Sequence, residues 1–177
     1  MTKGKQHITL LVSHSGGGER GMRLYLIQHG EAVEKNVDPA RPLSDKGIRD
    51  VKKVGAFLTR LHLDVAEIRH SGKLRARQTA ELLGLAMAPE GRIIEQDGLE
   101  PDAPVKTILK AIEGVRHDIA LVGHLPHLSR LAGALICGDA EGDPITFQKA
   151  GIVALERDAD GGAWRVCWMV TPDLLGK

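Results

Sequence analysis

Leu24-Tyr25-Leu26-Ile27 runs straight into Gln28-His29-Gly30-Glu31, and this junction decides the class of fold. Four apolar residues in a row, with no polar alternation, describe a strand buried on both faces. Such strands belong to parallel sheets that helices cover on either side. The polar cluster that ends the run sets a histidine and a glycine at a strand's carboxyl end, where open α/β sheets bind their ligands.

Working outward, strands and helices alternate. Ser44 reads as an N-cap, and behind it Ile48, Val51, Val54, Leu58 and Leu61 recur at helical spacing. A second strand is expected over 65–69. A helix is expected over 74–83, stopped by Gly84. A third strand follows at 92–95, and Pro104 fits the first turn of a helix facing inward with Val105, Ile108, Leu109 and Ile112. A fourth strand covers 119–122, and Pro126 opens a helix that carries Leu128, Leu131, Leu135 and Ile136 and stops at Gly138. The tail differs, since apolar runs at 152–155 and 164–170 flank a hairpin signal in Asp158-Ala159-Asp160-Gly161-Gly162. The fold class is therefore α/β, a three-layer sandwich with a mixed, mostly parallel sheet and helices on both faces.

The 177 residues suffice for one domain, assigned to 22–177. Residues 1–21 contain Lys3, Lys5 and a short apolar run at 8–12, broken by His14-Ser15-Gly16-Gly17-Gly18. That run is too short for a secretory h-region of about 7–15 residues. The segment reads as a disordered extension or an over-long start, with Met22 as the natural beginning, and the chain as cytoplasmic. Lys and Arg sum to 24 against 23 Asp and Glu, a balance unlike the strongly basic surface of a nucleic-acid binder. No stretch approaches the roughly 18 apolar residues of a membrane span. Cys137 and Cys167 sit in apolar runs and read as small buried thiols. No Cys/His cluster has metal-ligand spacing.

Three strand ends carry chemistry: Gln28-His29-Gly30, His70-Ser71-Gly72-Lys73-Leu74-Arg75, and Gly123-His124-Leu125-Pro126. Parallel packing gathers them on one rim. One histidine after a strand is usually a surface or core residue, but two beside glycines at the ligand edge point to a site. Lys73, Arg75 and Arg77 crowd a helix N-terminus, where the dipole disfavours cations by roughly 0.3–1 kcal/mol each. A bound anion would offset that cost, although a solvated basic face explains Lys73 and Arg77 equally well.

Leu26-Ile27-Gln28-His29-Gly30-Glu31, Arg41-Pro42-Leu43-Ser44, Leu74-Arg75-Ala76-Arg77-Gln78-Thr79-Ala80 and Gly123-His124-Leu125-Pro126 together resemble the histidine phosphatase superfamily. The resemblance is nearest to its short, SixA-like phosphohistidine phosphatase branch. It implies that His29 is the nucleophile, Arg75 a phosphate-binding arginine, His124 the second catalytic histidine and Arg41 a residue lining the pocket, with Gly30 beside them. It further implies phosphoryl transfer onto a neutral imidazole with arginines meeting the charge, without metal or cofactor. Gln28 stands where the family carries an arginine. This departure implies a slower enzyme, unless another cation such as Lys73 or Arg77 fills the gap. Glu100 lies near the place where larger members hold a general acid, but it reads equally as a loop carboxylate ahead of Pro104. The short stretch from Arg92 to Pro104 resembles the lidless, open pocket of the SixA-like branch. The expected partner is thus a phosphohistidine-bearing signalling or phosphotransfer protein, with no nucleic acid and no membrane. A small phosphate-ester phosphatase and a weakened phosphate-binding module are the alternatives.

Overall fold

The computed structural model describes residues 21–87, 92–157 and 161–176. Residues 1–20 and the first part of the expected hairpin turn lie outside them. The elements follow in the order β1 (Arg23–Gln28), α1 (Asp45–Leu58), β2 (Glu67–His70), α2 (Leu74–Met87), β3 (Arg92–Glu95), α3 (Val105–Ile112), β4 (Ile119–Gly123), α4 (His127–Cys137), β5 (Ile152–Arg157) and β6 (Trp164–Val170). Short 3-10 turns at Thr59–Leu61 and Pro172–Leu175 follow α1 and β6.

The six strands form one sheet in the order β3-β2-β4-β1-β5-β6. Strands β1 to β4 run parallel, and the β5–β6 hairpin is antiparallel. Side-chain alternation splits β1 between two cores. Tyr25 and Ile27 join Ile68, Val122 and Ile152 against α1 and α2, through Val51, Val54, Leu58, Ala80 and Leu83. Leu24 and Leu26 join Ile119, Leu121 and Val153 against α3 and α4, through Ile108, Ile112, Leu128 and Leu131. This is the expected three-layer sandwich, and it explains the unbroken apolar run of β1: both of its faces are covered.

Ser44 caps α1 as expected, its Oγ accepting the Gly47 N–H at 3.1 Å. Gly47 itself lies against the loop after β1. A Cβ there would sit 2.1 Å from the Glu31 carbonyl oxygen, so only glycine lets the helix lie this close.

Two expectations need correction. Gly84 does not stop α2, which continues to Met87. A Cβ at Gly84 would meet the far end of the Ile93 side chain, Cδ1 at 2.8 Å, so this glycine lies inside the helix where α2 passes over β3 rather than at its end. The cysteines are exposed, not buried. Cys137 is the last residue of α4, ahead of the left-handed Gly138 cap. In β6, Leu155 faces Val166 while Ala154 faces Trp168, leaving Cys167 as the extra residue of an edge bulge.

Candidate active site

β1, β4 and β2 are neighbours, and their register decides what meets at the rim. Gln28 is level with Gly123, and His70 with Val122. The residues that follow, His29, His124 and Ser71, therefore emerge side by side. The His29 N–H bonds the Gly123 carbonyl at 3.2 Å, and the Ser71 N–H bonds Val122 at 3.3 Å. The His29 and His124 rings stand 4.8 Å apart between centroids.

Both ring nitrogens of His29 are engaged. Nδ1 lies 2.6 Å from the Gly30 carbonyl oxygen, and Arg75 Nε–H donates to Nε2 at 3.2 Å. A carbonyl can only accept and a guanidinium can only donate. The pair of bonds therefore selects the tautomer with the proton on Nδ1 and a lone pair on Nε2. Burial pushes the His29 pKa down to about 4, the Gly30 bond opposes this, and the charges of Arg75, Lys149 and Arg41 lower it further. His29 is thus neutral at pH 7 and carries its lone pair toward the cations.

His124 is held by a residue that the motif reading left unused. Ser71 Oγ lies 2.6 Å from His124 Nε2, and Ser71 is fully buried. His124 Nδ1 is buried without a hydrogen-bond partner. Burial, then the charges of His29, Arg75 and Lys73, push the His124 pKa down to about 3. A cis Leu125–Pro126 bond carries the chain from His124 into α4.

The segment Arg75 to Thr79 ties the motifs together. Arg75 reaches His29. Gln78 Oε1 accepts the Leu43 N–H at 2.7 Å, which fixes the Arg41-Pro42-Leu43-Ser44 segment. Thr79 Oγ1 accepts the Gly30 N–H at 3.1 Å and donates to the Arg75 carbonyl at 2.7 Å. Residues three and four apart share a helix face, so one turn of α2 holds the nucleophile, the loop after it and the pocket wall. Gly30 sits in a crowded place, where a Cβ would meet Val51 Cγ2 at 2.9 Å, Leu43 Cδ2 at 3.0 Å and the Gly47 carbonyl oxygen at 3.1 Å. Arg41 stands at φ 51 with its Nε–H on the Val33 carbonyl, 3.2 Å away. Its charge acts on both His29 and Arg75, and the Arg75 pKa is lowered by burial and then by Arg41.

The other sequence candidates divide. Gln28 is in place and buried, but its amide has no hydrogen-bond partner among the described residues. Arg77 does not fill the gap left at Gln28. It pairs with Glu81 at 2.7 Å and lines a separate cavity of about 360 Å³ with His70, Ile93 and Glu95. Lys73 acts on His124. Glu100 keeps its carboxylate within its own loop, Oε2 accepting the Gly98 N–H at 2.9 Å. Among the described residues, Arg41, Lys73, Arg75 and Lys149 have no carboxylate partner in an ion pair, and no group of acidic, His or Cys residues is arranged to hold a metal ion. No helix among them is long and apolar enough to cross a membrane. Four unpaired cations around two neutral imidazoles form a site for an anion, one suited to a phosphoryl group.

Comparison with known proteins finds relatives of one fold. The model of the histidine phosphatase superfamily (branch 1) matches residues 24–100. An uncharacterized protein of Picosynechococcus sp. is 35% identical over 146 residues, covering 78% of this chain and 87% of that protein. Phosphohistidine phosphatase SixA of Escherichia coli is 22% identical over 158 residues, covering 85% of this chain and 94% of the relative. Among solved structures, the protein histidine phosphatase SixA complexed with tungstate superimposes with a TM-score of 0.75 at 24% identity, over 88% of this chain and all of that one.

Proposed function

Since the chain belongs to the histidine phosphatase superfamily, with a SixA-like fold, we propose that it is a phosphatase that takes phosphate onto His29 from a phosphohistidine on a signalling or phosphotransfer protein. The observation that carries this reading is the double tether of His29, which presents a neutral Nε2 lone pair to a cluster of unpaired cations.

In the first step the His29 Nε2 lone pair attacks phosphorus, and the bond from phosphorus to the substrate imidazole breaks. One P–N bond replaces another, so the exchange is nearly balanced in energy. The departing imidazole takes a proton from water. Arg75 turns from Nε2 to the phosphoryl oxygens, where Arg41 joins it, and His124 lies on the other side of the transferred group. These preorganised charges meet the charge of the transition state. In the second step water attacks the phosphorus of phospho-His29, releasing inorganic phosphate and restoring the lone pair. Neither step calls for a strong general acid, which suits a Glu100 already bonded to Gly98. Phosphate esters, the second class of substrate, would need that acid for an alkoxide leaving group.

The test is to incubate the protein with a histidine-phosphorylated protein, quench in alkali and map the label. Acid-labile phosphate is expected on His29 and absent from His29→Ala, along with turnover. Label on another residue, or activity surviving in His29→Ala, overturns the mechanism. Faster hydrolysis of sugar or nucleotide phosphates than of phosphohistidine overturns the substrate.

A further inference from the structure

The turn that leads into β5 is fastened to the end of β1. The Ala150 N–H bonds the carbonyls of Gln28 and His29 at 3.0 and 3.3 Å, and the Gln28 N–H bonds the Gly151 carbonyl at 3.2 Å. The turn closes on itself through the Gly151 N–H to the Gln148 carbonyl at 2.8 Å, and Ala150 takes a left-handed φ of 61. That region is disfavoured for a non-glycine residue, so the surrounding bonds hold the turn in a shape it would not choose alone. Lys149 is the residue immediately before Ala150. It is exposed, and no carboxylate pairs with it among the described residues.

Alternation along β1 puts Gln28 on the same face as Leu24 and Leu26. That face is the one covered by Ile145 and Phe147 of the chain that leads to Lys149. The turn thus delivers a flexible cation to the strand end where Gln28 offers an uncharged amide. The Lys149 Cα is one peptide unit from a nitrogen 3.3 Å from the His29 backbone carbonyl oxygen, so its four-carbon stem is long enough to bring the ammonium to a phosphoryl group on His29. We propose that Lys149 is a phosphate-binding residue of this site, supplying to the transferring phosphoryl group the charge that Gln28 lacks. Its charge already weighs on His29, behind only Arg75 among the cations that do so. A lysine binds phosphate as a point charge rather than as a fork. It can therefore serve from a position outside the strand, where an arginine's fixed geometry is not needed.

This inference rests on the phosphatase reading, and the experiment separates the two. Lys149→Met keeps the stem and removes the charge. Binding of inorganic phosphate is measured by titration, alongside kcat and KM on a histidine-phosphorylated protein, for Lys149→Met, Lys149→Arg, Gln28→Arg and the double variant Gln28→Arg/Lys149→Met. Replacing a charge-assisted contact by none weakens phosphate binding by about 10- to 150-fold. That loss, with kcat/KM falling in step, is expected for Lys149→Met at an unchanged melting temperature. Lys149→Arg retains most of the affinity. Gln28→Arg restores phosphate binding to Lys149→Met. Unchanged phosphate affinity in Lys149→Met, or no restoration by Gln28→Arg, overturns the role of Lys149. A parent protein that binds phosphate through Lys149 but never phosphorylates His29 overturns the phosphatase reading instead.

Discussion

Replacing Ser71 by alanine removes one oxygen atom from the protein interior and should cost both stability and turnover. Among the described residues, Ser71 Oγ is the sole hydrogen-bond partner of the His124 ring, 2.6 Å from Nε2, while Nδ1 is already buried without one. In Ser71→Ala both nitrogens of a buried imidazole are unpaired. Leaving a buried polar group unsatisfied costs about 1–3 kcal/mol. For a chain of this size each kcal/mol lowers Tm by about 2–4 °C, so a fall of about 4–8 °C is expected for a mid-range cost of about 2 kcal/mol. The ring also loses what fixes its plane beside His29. A loss of about 1.4 kcal/mol in the transition state is tenfold in rate, and kcat should drop by that order while KM changes less. Thermal unfolding and steady-state kinetics on a histidine-phosphorylated protein measure the two effects. The decisive comparison is the double-mutant cycle: in a His124→Ala background, Ser71→Ala should cost little more, in stability or in rate. Costs that add to within about 0.5 kcal/mol would show that Ser71 does not act through His124, and the reasoning would fail.

Three further outcomes follow from the geometry. With a His29 pKa lowered from 6.5 to about 4 by burial, the single-turnover phosphorylation rate should stay level from pH 7 to about pH 5 and fall only near pH 4, whereas a rate that halves near pH 6.5 would mean an ordinary imidazole. The same depressed value makes the unfolded chain bind a proton that the native state refuses between pH 6.5 and 4, so His29 should destabilise the fold as pH falls through that window, by up to about 3 kcal/mol, and His29→Asn should flatten that part of the stability profile seen in urea titrations. Gly47→Ala would drive a Cβ to 2.1 Å from the Glu31 carbonyl, while Gly55→Ala on the same helix meets nothing nearer than 3.8 Å; the first should lose about 3 kcal/mol or more in denaturant unfolding, and the second should hold steady or gain up to about 1 kcal/mol.

The alternation of strands and helices was legible because each element carries its own period, and the buried run of β1 announces two covered faces. His29, Arg75 and His124 were legible because glycines and cations gather where strands end. What escaped the sequence is tertiary. Ser71, Gln78 and Thr79 act through bonds to other elements, and no periodicity encodes which backbone group a hydroxyl will meet. Gly84 looked like a helix stop because a glycine gives one signal for a cap and for a close approach, and only the position of Ile93 separates them. Lys149 lies in an irregular segment between α4 and β5, where no pattern ties a residue to a face. Cys167 was misplaced because an apolar run reads alike on a covered strand and on β6 at the sheet edge, most of which is exposed.

The central position of β1 has a consequence for how the protein comes into being. Both strands that flank β1 are encoded far downstream, β4 at Ile119–Gly123 and β5 at Ile152–Arg157. A growing chain that has emerged as far as α2 therefore carries its reactive imidazole on an unpaired apolar strand with neither edge protected. Contacts of such long sequence separation close late and slow the folding of the whole. Gly30 and Arg75, which tether His29, are already present by then, but His124 and the strands that flank β1 are not, so the site stays incomplete on a partly made chain. The same delay leaves Leu24-Tyr25-Leu26-Ile27 exposed for most of synthesis, and this stretch is where aggregation of truncated or slowly translated chains should start.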